Sequence, residues 1–334
     1  MDLKKYNVAI IGGGITGLAA AFYLLKNAGD AFDFTLFEQS ERLGGKIQTV
    51  KRSGFIIERG PDSIVSRKPA GISFIKDVGL EADLVGNSAG QSYVWHRDEL
   101  YPIPGGAIMG IPTEIGPFID SKLFSLKGKA RAAFDLLLPR QSREKQDVSL
   151  GYFFRKRLGD EVVENLIEPL LSGIYSGDID ELSLMATFPQ FYEVEQKHRS
   201  LILGMRKMRS KTPPAAKTTS MFVTLRNGLE SLVARVEELL PEQSVRKRTA
   251  IDKIEKKQDG YELQLENGEK LYFDAVVITS PHTSVRHMLR DYSFVNILKD
   301  YPVTSVANVA MAFDEEQVKF DYDGTGFVVS RNTD

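Results

Sequence analysis

The chain has 334 residues, 42% of them apolar, and its 43 lysines and arginines against 45 acids leave a formal net charge of −2. That length implies two or three modules, and the near-neutral balance speaks against a nucleic-acid binder. Cysteine is absent, which excludes disulfides, thiolate metal sites and a cysteine nucleophile and fits a reducing cytoplasm.

The chain enters its first strand almost immediately, with no basic segment followed by an apolar one, so neither a signal peptide nor a transmembrane segment is expected. The histidines stand at 96, 198, 282 and 287, a spacing from which no metal site is expected. Val8-Ala9-Ile10-Ile11 is an uninterrupted apolar run of the kind buried on both faces of a parallel sheet. Gly12, Gly14 and Gly17 follow in G-x-G-x-x-G spacing, with Gly13 between the first two. The first glycine permits a tight turn, the second a close backbone approach to a pyrophosphate, and the third close packing of helix on strand. Leu18, Phe22 and Leu25 then mark the apolar face of a helix whose first amides, those of Ile15, Thr16 and Gly17, would face phosphate. A second strand, Phe34 to Phe37, delivers Glu38 about 20 residues after the last glycine, where a carboxylate accepts from ribose hydroxyls. These residues predict a dinucleotide site, with nicotinamide and flavin both open.

Further along, Ile47 to Val50 and Phe55 to Ile57 read as two strands about an Arg52-Ser53-Gly54 turn, leading to the rigid corner Gly60-Pro61-Asp62-Ser63. A helix is expected from Ile72 to Leu84 and a hairpin from Ser92 to Tyr101. Residues 102–117, with four prolines, read as a wrapping loop. A helical layer follows, with helices expected over Lys127 to Leu138, Leu150 to Leu158 and Asp160 to Leu171. Its cations (Lys122, Lys127, Lys129, Arg131, Arg140) raise peripheral contact with anionic lipid beside the plainer reading of a solvated face. Residues 206–220 read as a linker. Beyond it come a helix over Leu229 to Leu240, a short strand pair about Val245 and Ile251, and alternation at Tyr261, Leu263 and Leu265. Asn267-Gly268 signals a type I′ hairpin, and Ala275 to Thr279 is a buried strand returning to the first sheet. Val306 to Phe313 and Gly326 to Val329 read as two last strands.

Arg42-x-Gly44-Gly45-Lys46 resembles the second signature of the flavin-containing amine oxidase, phytoene desaturase and protoporphyrinogen oxidase superfamily. Together with Glu168-Pro169-Leu170-Leu171-Ser172-Gly173-Ile174-Tyr175-Ser176-Gly177-Asp178, Phe188 to Phe191 and Gln196 to Ser200, it makes the whole chain similar to the oxygen-dependent porphyrinogen oxidases of haem biosynthesis in Gram-positive bacteria. The resemblance implies an α/β fold: a discontinuous, Rossmann-like FAD-binding domain of the glutathione-reductase type (1–66 and 221–285), a substrate-binding α+β domain (67–115 and 286–334) and a helical domain (116–205). It implies non-covalent FAD that carries electrons from coproporphyrinogen or protoporphyrinogen to dioxygen, giving hydrogen peroxide, with no side-chain nucleophile and no assigned catalytic residue. By the matched motifs, Gly12 to Gly17, Glu38, Arg42, Gly45, Lys46, Gly60, Pro61, Asp62, Ser63 and Ile251 would meet the cofactor. Lys68 would meet substrate propionates, and Ile174 and Tyr175 the macrocycle. A cytoplasmic protein is expected, with contact at the inner face of the membrane raised by the basic helical layer; the resemblance offers haem-pathway enzymes as a hand-over partner set, and members of the family continue past the point matching residue 334 with a segment that closes the flavin site. Two other readings stay open: a related FAD-dependent amine oxidase or desaturase, and a non-catalytic fragment that binds flavin or porphyrin.

Overall fold

The computed structural model describes residues 5–66, 68–86, 90–141, 147–211, 220, 222–299, 301–318 and 324–330. Strand β1 (Tyr6–Ile11) runs into helix α1 (Ile15–Ala28), and β2 (Phe32–Phe37) returns parallel to β1 with Ile10 opposite Leu36. The unbroken apolar sequence of β1 suits two covered faces. Val8 and Ile10 pack with Leu18, Ala21 and Phe22 of α1, whereas Ala9 and Ile11 enter a second core with Phe37.

Hairpin β3 (Thr49–Arg52) and β4 (Phe55–Glu58) turns through Ser53 and Gly54, both at positive φ, the twist that antiparallel strands favour. Next come β5 (Ile64–Val65), α2 (Pro69–Asp77) and β6 (Leu84–Gly86). The helix expected to reach Leu84 stops at Asp77. Gly79 takes φ +86°, its amide donates to Lys76 O and that of Leu80 to Ile75 O, the paired bonds that end a helix on a left-handed glycine.

Strands β7 (Gln91–His96) and β8 (Glu99–Pro102) form the expected hairpin, again on a positive-φ pair, Arg97 and Asp98. The helical layer then builds from α3 (Ile115–Asp120), α4 (Leu126–Ala133) and α5 (Leu150–Leu158). It continues with α6 (Asp160–Val162), α7 (Glu168–Tyr175), α8 (Leu184–Thr187), α9 (Pro189–His198) and α10 (Leu201–Lys211). Phe153, Phe154, Leu158, Leu166, Ile167 and Phe191 centre its core. Between α6 and α7 a π turn, Val163–Ile167, interrupts the helix expected over Asp160 to Leu171. Pro169 has no N–H to return to the carbonyl four residues back, and widening the turn accommodates the mismatch. Residues 206–211, expected to begin a linker, continue α10; residues 212–219 lie outside the described residues.

The chain returns through β9 (Phe222–Leu225), antiparallel to both β5 and β6, and α11 (Glu230–Leu239), whose Leu232, Val233 and Val236 join the core of α1. The strand pair expected about Val245 and Ile251 does not form. Instead β10 (Val245–Arg246) extends the parallel sheet beside β2, and β11 (Ile251–Lys257) starts a meander with β12 (Gly260–Leu265) and β13 (Lys270–Phe273). The Asn267-Gly268 hairpin is present with a different turn. Only Gly268 is at positive φ, and its amide donates to Leu265 O at 2.9 Å, which is a type I turn closed by a left-handed glycine. β14 (Ala275–Ile278) completes a parallel sheet ordered β10-β2-β1-β14, and α12 (His282–Met288) follows.

Val306 to Phe313, expected as a strand, is irregular: no neighbouring strand takes up its backbone groups among the described residues. β15 (Gly324–Val329) lies parallel to β7. Two compact units result, one of residues 1–87, 219–303 and 308–311, the other of 88–218, 304–307 and 312–334. Of the segments expected to make up a substrate domain, 68–86 and 286–299 therefore group with the dinucleotide fold, and 90–115 and 324–330 with the helical layer.

Candidate dinucleotide site

The site lies in the first unit, where β1 ends against α1. Gly12 sits at φ +108°, and a Cβ there would stand 2.8 Å from the Thr279 hydroxyl. At Gly17 a Cβ would fall 1.9 Å from Gly12 O, so the third glycine is demanded by contact between helix and loop. A Cβ on Gly14 would meet nothing within 4 Å, and as the N-cap of α1 it offers no side chain to the first-turn amides. Those amides of Ile15, Thr16 and Gly17 therefore meet no capping side chain at the positive end of a 14-residue helix, a donor set that matches a pyrophosphate.

Two carboxylate oxygens hold the loop from the side. Glu38 Oε2 accepts the Gly13 amide at 2.7 Å and Oε1 the Ser40 amide at 2.8 Å. A carboxylate accepts about four hydrogen bonds, so capacity remains for ribose hydroxyls. From below, the Thr279 hydroxyl donates toward Ile11 O and Gly12 O, and that of Ser280 toward Ile11 O. Sequence reasoning did not single out these two hydroxyls. The signal was there, since they directly follow an apolar strand, and ligands of open parallel sheets sit at the carboxyl ends of strands.

The second glycine signature lies directly on the first. The Gly44 amide donates to Gly13 O at 2.8 Å, and a Cβ on Gly45 would meet Gly14 Cα at 3.1 Å. Gly60 belongs to the same assembly, because a Cβ there would stand 1.9 Å from Lys46 O. Lys46 is exposed with no ion pair among the described residues, whereas the Arg42 guanidinium is engaged by backbone carbonyls. Pro61, Asp62 and Ser63 continue outward from Gly60, Pro61 and Asp62 exposed and Ser63 partly so, with the Ser63 hydroxyl on Asp62 Oδ1. Ile251 opens β11 with its side chain in the core beside Ala9, Ile11 and Phe37. The chain just before it is tied to the segment after β2, since the Thr249 amide donates to Glu38 O and the Arg248 amide to Ser40 O.

The residues expected to meet substrate are not all in this unit. Lys68 is exposed at the N-cap of α2 in the first unit. Ile174 and Tyr175 end α7 in the second, Ile174 57% exposed and the Tyr175 ring against Phe188. Among the described residues no group of three or more His, Asp or Glu side chains is arranged to hold a metal, and no helix is long and apolar enough to cross a membrane.

Comparison with known proteins agrees with this architecture. Residues 15–332 match the family described as flavin containing amine oxidoreductase. The chain is 55% identical over 340 residues to coproporphyrinogen III oxidase of Bacillus subtilis (strain 168), covering all of this chain and 72% of that protein. It is 44% identical over 337 residues to coproporphyrinogen III oxidase of Staphylococcus aureus, covering 98% and 72%. A crystal structure of a proposed protoporphyrinogen oxidase from Exiguobacterium sp. 255-15 superposes with a TM-score of 0.81 at 39% identity over 99% of this chain and 71% of that one. Putrescine oxidase shares the fold at 17% identity and a TM-score of 0.59, covering 85% and 60%. With its two interlocked glycine signatures and a match over nearly its whole length, the chain belongs to the flavin containing amine oxidoreductase family.

Proposed function

We propose that this chain oxidises a porphyrinogen in haem biosynthesis, with FAD as its cofactor and dioxygen as electron acceptor. The observation that carries the reading is the 55% identity to coproporphyrinogen III oxidase over the full chain, and coproporphyrinogen III is accordingly the favoured substrate over protoporphyrinogen IX. The chemistry FAD would supply when bound is two-electron acceptance: in each of three rounds a hydride would leave a macrocycle carbon and a proton a macrocycle nitrogen, and with one proton taken up from solvent dioxygen would be reduced to hydrogen peroxide.

The chain's own part is to bind and orient. The first-turn amides of α1 hold the pyrophosphate, Glu38 the ribose, and Lys46 adds positive charge beside the phosphates. The corner Gly60 to Ser63 runs along the flavin. Lys68 pairs with propionate carboxylates, and Ile174 and Tyr175 give the macrocycle an apolar wall. No side-chain acid or base enters, because substrate carbon and cofactor need only be held in reacting distance with water excluded.

The test is the visible spectrum of the purified chain with added FAD, followed by anaerobic coproporphyrinogen III and then air. Flavin bands that bleach with substrate and return in air with peroxide release support the reading. Flavin that bleaches with putrescine and not with either porphyrinogen moves the chain to the amine oxidases, and protein that takes up no FAD removes the catalytic reading for these 334 residues. Peripheral membrane contact is supported by Leu126 and Leu137, 84% and 72% exposed at and just past the ends of α4, which also carries Lys127 and Lys129. Sedimentation with phosphatidylglycerol vesicles but not with phosphatidylcholine vesicles is the expected result.

A further inference from the structure

The geometry points to Arg42 as a positioning residue that shapes the double-glycine turn, leaving Lys46 as the cation of this segment that meets the cofactor; the inference rests on the FAD reading above. Three carbonyls converge on one guanidinium. Arg42 Nη1 donates to Leu43 O at 3.2 Å and to Ile47 O at 3.0 Å, and Nη2 donates to Gly45 O at 2.7 Å. Alternate carbonyls of a short segment do not ordinarily face one point. They do so here because Gly44 and Gly45 are at φ +100° and +58°, which curls the chain around the arginine of its own turn. The turn is further closed by the Ile47 amide on Gly44 O and by the Ser40 hydroxyl on Arg42 O.

Without a cation at their centre, three carbonyl dipoles pointing together would repel one another. The planar fork of arginine answers all three at once, and a lysine, a point charge on a flexible stem, does not reproduce that pattern. The consequence passes directly to the phosphate loop. The turn held by Arg42 is the one whose Gly44 amide donates to Gly13 O and whose Gly45 packs on Gly14 Cα. Arg42 therefore sets the place of Gly14, the open point of the cradle, and of Lys46 O, against which Gly60 packs. Three of its five N–H donors are directed into the turn, which ties the guanidinium to these carbonyls. Lys46, exposed and without an ion pair among the described residues, offers its charge.

The two roles separate by charge, shape and salt. Arg42→Lys, Arg42→Met and Lys46→Met are compared for FAD affinity by flavin fluorescence quenching at low and high salt, and for backbone hydrogen exchange in the FAD-free protein. Arg42→Lys and Arg42→Met are expected to weaken FAD binding alike, by about tenfold or more. The factor should be the same at both salt concentrations, with faster exchange in the FAD-free protein confined to residues 43–47. Lys46→Met is expected to leave exchange unchanged and to weaken binding more at low salt than at high salt, as a screened charge must. If Arg42→Lys binds FAD like wild type while Arg42→Met loses affinity in a salt-dependent way, Arg42 is a phosphate ligand and the proposal is overturned. Unchanged exchange at 43–47 in both Arg42 variants overturns it equally. Should wild type bind no FAD, the functional reading fails on its own, and exchange at 43–47 still decides whether Arg42 holds the turn.

Discussion

At the scale of single residues, the site is governed by what cannot be present. Gly17 illustrates this, since any side chain there meets Gly12 O at 1.9 Å. Gly17→Ala must push helix from loop, and the expected loss is about 1–3 kcal/mol of stability, the range for inserting atoms into a packed contact. FAD affinity should fall further still, because the first-turn amides move with the helix. Thermal denaturation and flavin fluorescence on the same sample check both. Glu38 works by what it accepts. Glu38→Gln keeps one oxygen and replaces the other with a donor facing an amide hydrogen, at Gly13 or at Ser40. The expected outcome is weaker FAD binding by roughly tenfold, the size of one lost charge-assisted hydrogen bond, with the fold retained by circular dichroism.

At the scale of elements, the helical layer contains a device unrelated to the cofactor. Arg157 on α5, Glu195 on α9 and Asp135 just past α4 are each no more than 1% exposed, with Arg157 bonded to Glu195 and 3.5 Å from Asp135. Burial pulls the Arg157 guanidinium below its usual range, and the Asp135 carboxylate opposes that pull. One cation between two carboxylates ties three helical segments together. Removing the cation leaves two buried anions facing each other, so Arg157→Met should destabilise the protein by about 3–5 kcal/mol. Urea unfolding followed at 222 nm measures it, and a loss under about 1 kcal/mol would mean that the carboxylates find other partners. Helix lengths are likewise decided by local chemistry acting late in the element: Gly79 ends α2, and Pro169 forces the π turn ahead of α7.

At the scale of the whole molecule, the segment from Val303 to Phe313 is rich in exposed apolar side chains. Val303, Val306, Val309, Met311 and Phe313 are 62–74% exposed, in a sequence whose composition is that of a buried strand. Apolar side chains left exposed in this number favour association. The triple substitution Val306→Thr, Val309→Thr and Met311→Thr is expected to lower binding of the dye ANS and slow aggregation, and to leave stability within about 0.5 kcal/mol, as for substitutions away from packed sites. Dye fluorescence and a thermal melt report the two outcomes separately.

The dinucleotide fold was legible in residue order because its determinants are local. An uninterrupted apolar strand, glycines at set spacing and an acid about 20 residues on each act within a few turns of chain. The hairpins at Ser53-Gly54 and Arg97-Asp98 were legible for the same reason, since their sequence neighbours supply the pairing. The partners of Val245 and Ile251, the irregular path of Val306 to Phe313 and the hydroxyls of Thr279 and Ser280 beneath Gly12 were decided only in the fold. For Val245 and Thr279 the deciding partner lies far along the chain, β2 and the end of β1, whereas Ile251 pairs with Leu265 in the hairpin of β11 and β12. Arg42 marks the boundary between the two kinds of information. Its residue type and position beside two glycines are written in the chain, but whether a guanidinium turns outward to a phosphate or inward to three carbonyls depends on backbone angles that only the folded turn possesses.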